Sequence, residues 1–156
     1  MKNKKTIPAM TFKQAVEATP DVATGFRTGL NALGPYRSKI TVSDTRLLQG
    51  SVDIDTCTAT KYPNSNRWDY SFAYNGQVFF IEVHSANSSE VSTVLRKLKW
   101  LREWLNEKAP EINKQKAKSQ TAFYWIQSKN FAIPKTSPQY RAAEAAGLKP
   151  IANLSL

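Results

Sequence analysis

The chain has 156 residues and a mass of 17.5 kDa, which fits one domain with a real core rather than several. Six glycines leave little material for Gly-rich phosphate loops, and a single cysteine excludes an intramolecular disulfide and a four-cysteine zinc site. Lysine and arginine number 22 against 12 acidic residues, a net charge of +10 with a pI near 9.8, which suits a polyanionic partner such as nucleic acid.

The excess charge is spread along the chain rather than gathered in one tail. No apolar run approaches the length of a membrane span, so no membrane partner is expected. The start Met1-Lys2-Asn3-Lys4-Lys5 is basic but no apolar stretch follows it, so no secretory leader is expected and a reducing, cytoplasmic location fits.

In chain order, residues 1–8 read as a basic arm and residues 9–156 as one domain. Thr11-Phe12-Lys13-Gln14 has the form of a capping box and predicts a first helix. Thr19-Pro20-Asp21 predicts a second helix start, with Val22, Phe26, Leu30 and Leu33 at helical spacing up to Gly34-Pro35. Ile40-Thr41-Val42 predicts a short strand. Val52, Ile54, Thr56 and Thr58 alternate with Asp53, Asp55 and Cys57, which predicts another. A turn over 63–66 leads into runs 67–74 and 77–84, joined by Asn75-Gly76, a strong hairpin signal.

Ser88-Ser89-Glu90 opens the clearest helix, with Val91, Val94, Leu95, Leu98, Leu101 and Leu105 as its apolar stripe. Trp104 is expected in the core and Trp100 nearer the surface. Residues 108–118 read as a basic surface loop, 122–126 as a central strand, 138–146 as a helix closed by Gly147, and 151–156 as a final strand. The predicted order α-β-β-β-α-β-α-β makes an α/β (α+β) protein, a mixed sheet flanked by helices.

A two-residue Asn75-Gly76 loop pairs Tyr74 with Gln77, and counting back pairs Tyr70 with Ile81, Asp69 with Glu82 and Arg67 with His84. Side chains alternate along a strand, so Arg67, Asp69, Glu82 and His84 are expected on one face, distant from the turn. Carboxylates directly opposite on a ladder lie ~4.5–5.5 Å apart at Cβ and repel, unless a shared proton, a basic partner or a divalent cation relieves them. Oxygen ligands suit Mg²⁺ or Mn²⁺, and a histidine on the same face suits proton transfer from water. A purely structural reading pairs Glu82 with Arg67 and leaves His84 as a strand-end residue.

Asp69, followed after an apolar strand by Glu82-Val83-His84, then a helix and the strand Phe123-Tyr124-Trp125-Ile126, resembles the PD-(D/E)xK nuclease superfamily. The resemblance covers roughly residues 10–130 and implies a restriction-endonuclease-like core. It implies Asp69 and Glu82 as metal ligands, and Glu17 of the first helix as a further acid. The sequence departs from the family where His84 replaces the lysine of E-x-K; Lys97 or Lys99 on the following helix is the candidate replacement for the lost charge.

The resemblance thus implies a Mg²⁺-dependent endonuclease, with Mn²⁺ as a substitute and DNA more than RNA as substrate. Asp69, Glu82, His84 and Glu17 are its candidate catalytic residues. Arg67, Arg96, Lys97, Lys99, Lys114, Lys116 and Lys118 are candidate contacts to the nucleic-acid backbone. A domain of this size has little room for a sequence-reading part, so a homodimer, or a structure-directed or nonspecific activity, follows. The alternative is a non-catalytic nucleic-acid- or protein-binding module on the same fold. Asp53 and Asp55 are expected on one strand face, either extending the metal site or paired with a Lys or Arg, and Cys57 is expected to be a small buried residue.

Overall fold

A computed structural model describes residues 9–85, 87–128 and 133–156; the basic arm expected over residues 1–8 lies outside them. In chain order the elements are α1 (Phe12–Glu17), β1 (Ile40–Thr41), β2 (Leu48–Asp53), α2 (Ile54–Thr58), β3 (Tyr70–Tyr74), β4 (Gln77–His84), α3 (Val91–Glu107), α4 (Pro110–Lys114), β5 (Phe123–Gln127), α5 (Pro138–Ala145), β6 (Leu148–Ile151) and β7 (Leu154–Ser155). Five strands form a mixed sheet in the order β2-β3-β4-β5-β6, antiparallel from β2 to β4 and parallel from β4 to β6. β1 and β7 form a separate parallel pair.

Local chemistry accounts for most of these elements. The capping box is formed: Thr11 Oγ1 accepts from the Gln14 amide at 3.1 Å, and Gln14 Oε1 accepts from the Thr11 amide at 2.9 Å. Asn75 and Gly76 both take positive φ, 50° and 77°, as a tight primed turn requires, and the hairpin register runs from Tyr74↔Gln77 to Tyr70↔Ile81 as counted from the sequence. β4 is the middle strand, and Val78 to Glu82 are buried without alternation, because both faces of the sheet are covered. Phe80 stacks on Phe123 on one face, and Phe72 on Phe79 on the other. α3 buries Val91, Val94, Leu98, Leu101, Trp104 and Leu105, while Leu95 is half-buried.

Four expectations are corrected. The helix expected from Val22 to Leu33 does not form: a 3-10 turn ends at Val22, the chain folds at Gly25, and Arg27 exchanges both backbone hydrogen bonds with Ser51 at 2.9 and 2.8 Å. Gly25 sits against Cys57 and Val52 where a Cβ would lie 2.4 Å from Cys57 Sγ, and Gly29 takes a φ of 52°. Covering the outer edge of β2 prevails over the helical spacing.

The strand expected through Thr58 stops at Asp53, whose side chain caps α2 by accepting from the Thr56 amide at 2.9 Å and the Thr56 hydroxyl at 2.8 Å. Asp53 and Asp55 therefore do not share a strand face.

The basic loop over 108–118 contains the short helix α4, with Ala109, Ile112 and Ala117 buried, and Lys116 bridges to Val78. The final strand is two strands: β6 extends the main sheet and β7 pairs with β1.

No helix among the described residues is long and apolar enough to cross a membrane.

Candidate functional site

The hairpin ladder ends at Tyr70↔Ile81, and beyond that point two carboxylates replace it. The Asp69 amide donates to Glu82 Oε1 at 3.3 Å, and the Val83 amide donates to Asp69 Oδ2 at 3.0 Å. The Asp69 carbonyl is held from the other side by the amides of Ile54 and Asp55, at 2.8 and 3.2 Å. The turn of β2 into α2 thus fixes the Asp69 backbone. The expected facing of Asp69 and Glu82 is realised, but as an exchange between side chains and backbone rather than as a ladder pair.

A third group enters from α3. Lys97 Nζ donates to Asp69 Oδ1 at 3.2 Å and closely to Glu82 Oε2. The Glu82 side chain is fully buried, Lys97 is 14% exposed and Asp69 19%. Three elements, β3's entry, β4 and α3, therefore converge on one cluster of two carboxylates and one ammonium. The cluster is closed at Glu82 and partly open at Asp69. Of the two lysines expected to compensate for His84, Lys97 fills the place; Lys99 is exposed and absent from the cluster.

His84 stands at the rim. Its Nδ1 lies 3.7 Å from Glu82 Oε2 and its Nε2 lies 3.0 Å from Glu90 Oε2, in the turn that leads into α3. The His84 carbonyl accepts from Trp125 Nε1 at 3.0 Å, which anchors the strand end. Glu90 has no sequence signal beyond its position at a helix start; only the return of that turn over β4 brings it to His84.

The electrostatics follow from burial. Burial, then the charge of Asp69, push Glu82 up to about 8 from 4.5, against the pull of Lys97. Burial also raises Asp69, against the Lys97 ammonium and the Val83 amide. Burial alone would lower Lys97, but the charges of Glu82 and Asp69 outweigh it and hold the amine protonated. Two acidic groups share one ammonium inside the protein and have their ionisation shifted by burial, an arrangement that concentrates at functional sites.

The other candidates fall elsewhere. Arg67 does not reach His84: its Nε donates to Asp55 Oδ1 at 2.8 Å and Nη1 to the Tyr62 carbonyl at 2.6 Å. The ladder ends before it, so the register count no longer applies. This also answers the structural reading of Glu82, whose cation is Lys97. Glu17 is exposed on α1, which packs against β2 and α4, and among the described residues it makes no hydrogen bond or ion pair with the cluster. Arg96 is exposed on α3. Lys114 pairs with Glu111 at 2.9 Å, Lys116 lies over the Phe123 ring at 5.8 Å, and Lys118 is exposed.

Cys57 is half-buried against Gly25, and burial raises its thiol.

Trp104 is buried, as expected, but its indole N–H also donates to Asp21 Oδ2 at 3.0 Å. Asp21 accepts from Lys61 and Tyr62 as well, at 2.9 and 2.7 Å.

A metal is tested by the donor set. Among the described residues no three His, Cys, Asp or Glu side chains gather as a ready metal site. Two carboxylates alone suit Mg²⁺, which keeps several waters and takes further oxygens from a phosphate. The space between Asp69 Oδ1 and Glu82 Oε2 already accommodates one cation, the Lys97 ammonium.

Comparison with protein-family models, curated proteins and solved structures returned no match.

Proposed function

We propose that the chain is a Mg²⁺-dependent nuclease that hydrolyses phosphodiester bonds, with DNA as the favoured polymer. The observation that carries this reading is the meeting of Asp69, Glu82 and Lys97 at the end of the hairpin, one buried and one partly open carboxylate sharing one lysine. The strand order supports it: an antiparallel hairpin bearing the acids, then a helix, then a strand parallel to the second hairpin strand. That arrangement is the one implied by a restriction-endonuclease-like core.

In this reading Asp69 and Glu82 would hold the ion, which would supply Lewis acidity at the phosphate and a more acidic water. Lys97 takes the role of the lysine missing after Val83; its ammonium moves from the carboxylates to the developing negative charge on the phosphate oxygens. His84 orients the attacking water and accepts its proton, and Glu90 holds the outer nitrogen of the ring. The exposed Arg96, Lys99 and Lys118 grip the backbone, with affinity that falls as salt rises.

A second reading, binding without turnover, has one observation in its favour: Lys97 is closed onto both carboxylates, as in a structural ion network. A cleavage assay separates the two. Supercoiled plasmid, single-stranded DNA and RNA are incubated with EDTA, Mg²⁺ or Mn²⁺, beside Glu82→Ala purified in parallel. Metal-dependent cutting that is lost in the variant supports the nuclease. Salt-sensitive binding with no cutting of any polymer supports the binding module.

A further inference from the structure

A groove of about 320 Å³ runs along α3 beside the cluster, lined by turn residues 64–66 and by Arg96, Lys99, Trp100 and Glu103. Its two walls belong to the segments that also carry members of the cluster. The turn reaches Asp69 three residues later, and Trp100 lies one helical turn beyond Lys97.

Little of the groove's polar lining is committed inward. The indole N–H groups of Trp68, Trp104 and Trp125 all donate to protein oxygens, at 3.1, 3.0 and 3.0 Å. That of Trp100 has no partner among the described residues. Nor do the side chains of Asn64, Asn66, Lys99 and Glu103 hydrogen-bond there, and Arg96 makes only a 3.4 Å contact with Thr93. The Trp100 ring is nevertheless held in place, stacked on Trp104 at 5.8 Å and 11° and met edge-on by Tyr62 at 5.8 Å. The groove therefore presents a rigid aromatic wall, free amides and two cations, with one carboxylate at its far end.

We propose that this groove seats an unpaired base of a single-stranded nucleic acid, stacked on Trp100 with Arg96 and Lys99 on the adjoining phosphates. A flat π surface beside cations recognises a base and its backbone without reading sequence. The free amides of Asn64 and Asn66 suit the polar edge of a splayed base, which a paired base does not present to them. The inference deepens the nuclease reading: it makes the substrate a single strand, or a frayed end, laid from the groove to the carboxylates.

The test is equilibrium binding in EDTA, where cleavage plays no part. Fluorescence anisotropy compares a labelled oligothymidylate with a blunt duplex, using the full chain, Trp100→Leu and the double variant Arg96→Gln/Lys99→Gln. The expected result is tighter binding of the single strand, weakened in Trp100→Leu by about 5- to 150-fold, the range for loss of one stacked base. In the double variant the dependence of log K on log salt should flatten by about 1.4, two phosphates' worth for a single strand.

Equal affinity for single strand and duplex overturns the inference, as does unchanged binding by a folded Trp100→Leu. If Trp100→Leu does not fold, the exposed double variant decides, and an unchanged salt slope overturns it. A wild type that binds the single strand in this way but never cuts it refutes the nuclease reading and leaves the groove's role standing.

Discussion

Replacing Glu82 by glutamine should change not only the stability of the protein but its dependence on pH. Glu82 is fully buried, and its carboxyl is pushed up to about 8 from 4.5. In the unfolded chain it ionises near the lower value; in the folded protein it keeps its proton to the higher one. Between the two the folded state binds more protons than the unfolded state, so stability falls as pH rises across that window and levels off above it. Each pH unit is worth about 1.4 kcal/mol, so the wild type loses at most about 5 kcal/mol between pH 4.5 and 8.

Glutamine carries no proton to lose. Its amide meets Lys97 or the Asp69 amide donor-to-donor, a constant penalty of about 1–3 kcal/mol. Urea unfolding in EDTA at half-unit steps from pH 5 to 9 measures both terms. The variant should be the less stable protein in acid and draw level with or overtake the wild type by pH 8. Parallel stability curves for the two proteins would refute the reasoning, because they would mean that Glu82 ionises normally in the fold.

Other perturbations follow from the same geometry. Lys97→Met removes the ammonium that favours ionised Glu82 and Asp69, so it should cost up to about 3–5 kcal/mol in urea unfolding above pH 8, where wild-type Glu82 is ionised, and less at pH 6, while plasmid cleavage falls at least about 10²-fold. Mg²⁺ at a hundred times its dissociation constant should raise wild-type stability by about 2.7 kcal/mol at pH 8, read as a Tm shift in calorimetry, and should do little for Glu82→Gln. Arg67→Gln should cut within about threefold of the wild-type rate, because its guanidinium serves Asp55 and Tyr62 rather than the cluster; a loss of about 10² would return it to the site. Ser71 Oγ is buried with no hydrogen-bond partner among the described residues, so Ser71→Ala should stabilise by about 1 kcal/mol in chemical denaturation.

The parts of the molecule legible in the sequence are those whose signals are short-range and unopposed. The Asn75-Gly76 turn sets its own register, and that register carried Asp69 to Glu82. The capping box at Thr11 and the apolar stripe of α3 are likewise decided within a few residues. The failures arise where a distant partner outweighs a local pattern. Val22, Phe26, Leu30 and Leu33 have helical spacing, yet the backbone of Arg27 is taken by Ser51 at the sheet edge. Setting Arg67 opposite His84 requires a ladder that in the fold stops three residues earlier, because the carboxylates themselves replace its hydrogen bonds. From the sequence, Lys97 is a candidate either to replace the missing lysine or to contact the nucleic-acid backbone. Its arrival between Asp69 and Glu82 depends on how α3 lies across the sheet, which helical spacing does not specify. Glu90 reaches His84 for the same kind of reason.

Binding of Mn²⁺ followed by electron paramagnetic resonance most directly separates a cation site from a structural ion network. It compares the wild type with Asp69→Asn at pH 8, where Glu82 gives up its proton. A metal site predicts that the free-ion signal falls as wild-type protein is added and is restored by excess Mg²⁺, while Asp69→Asn leaves the signal intact. Equal loss of signal with both proteins, or none with either, would contradict it and make the Asp69–Glu82–Lys97 cluster a brace between α3 and the sheet.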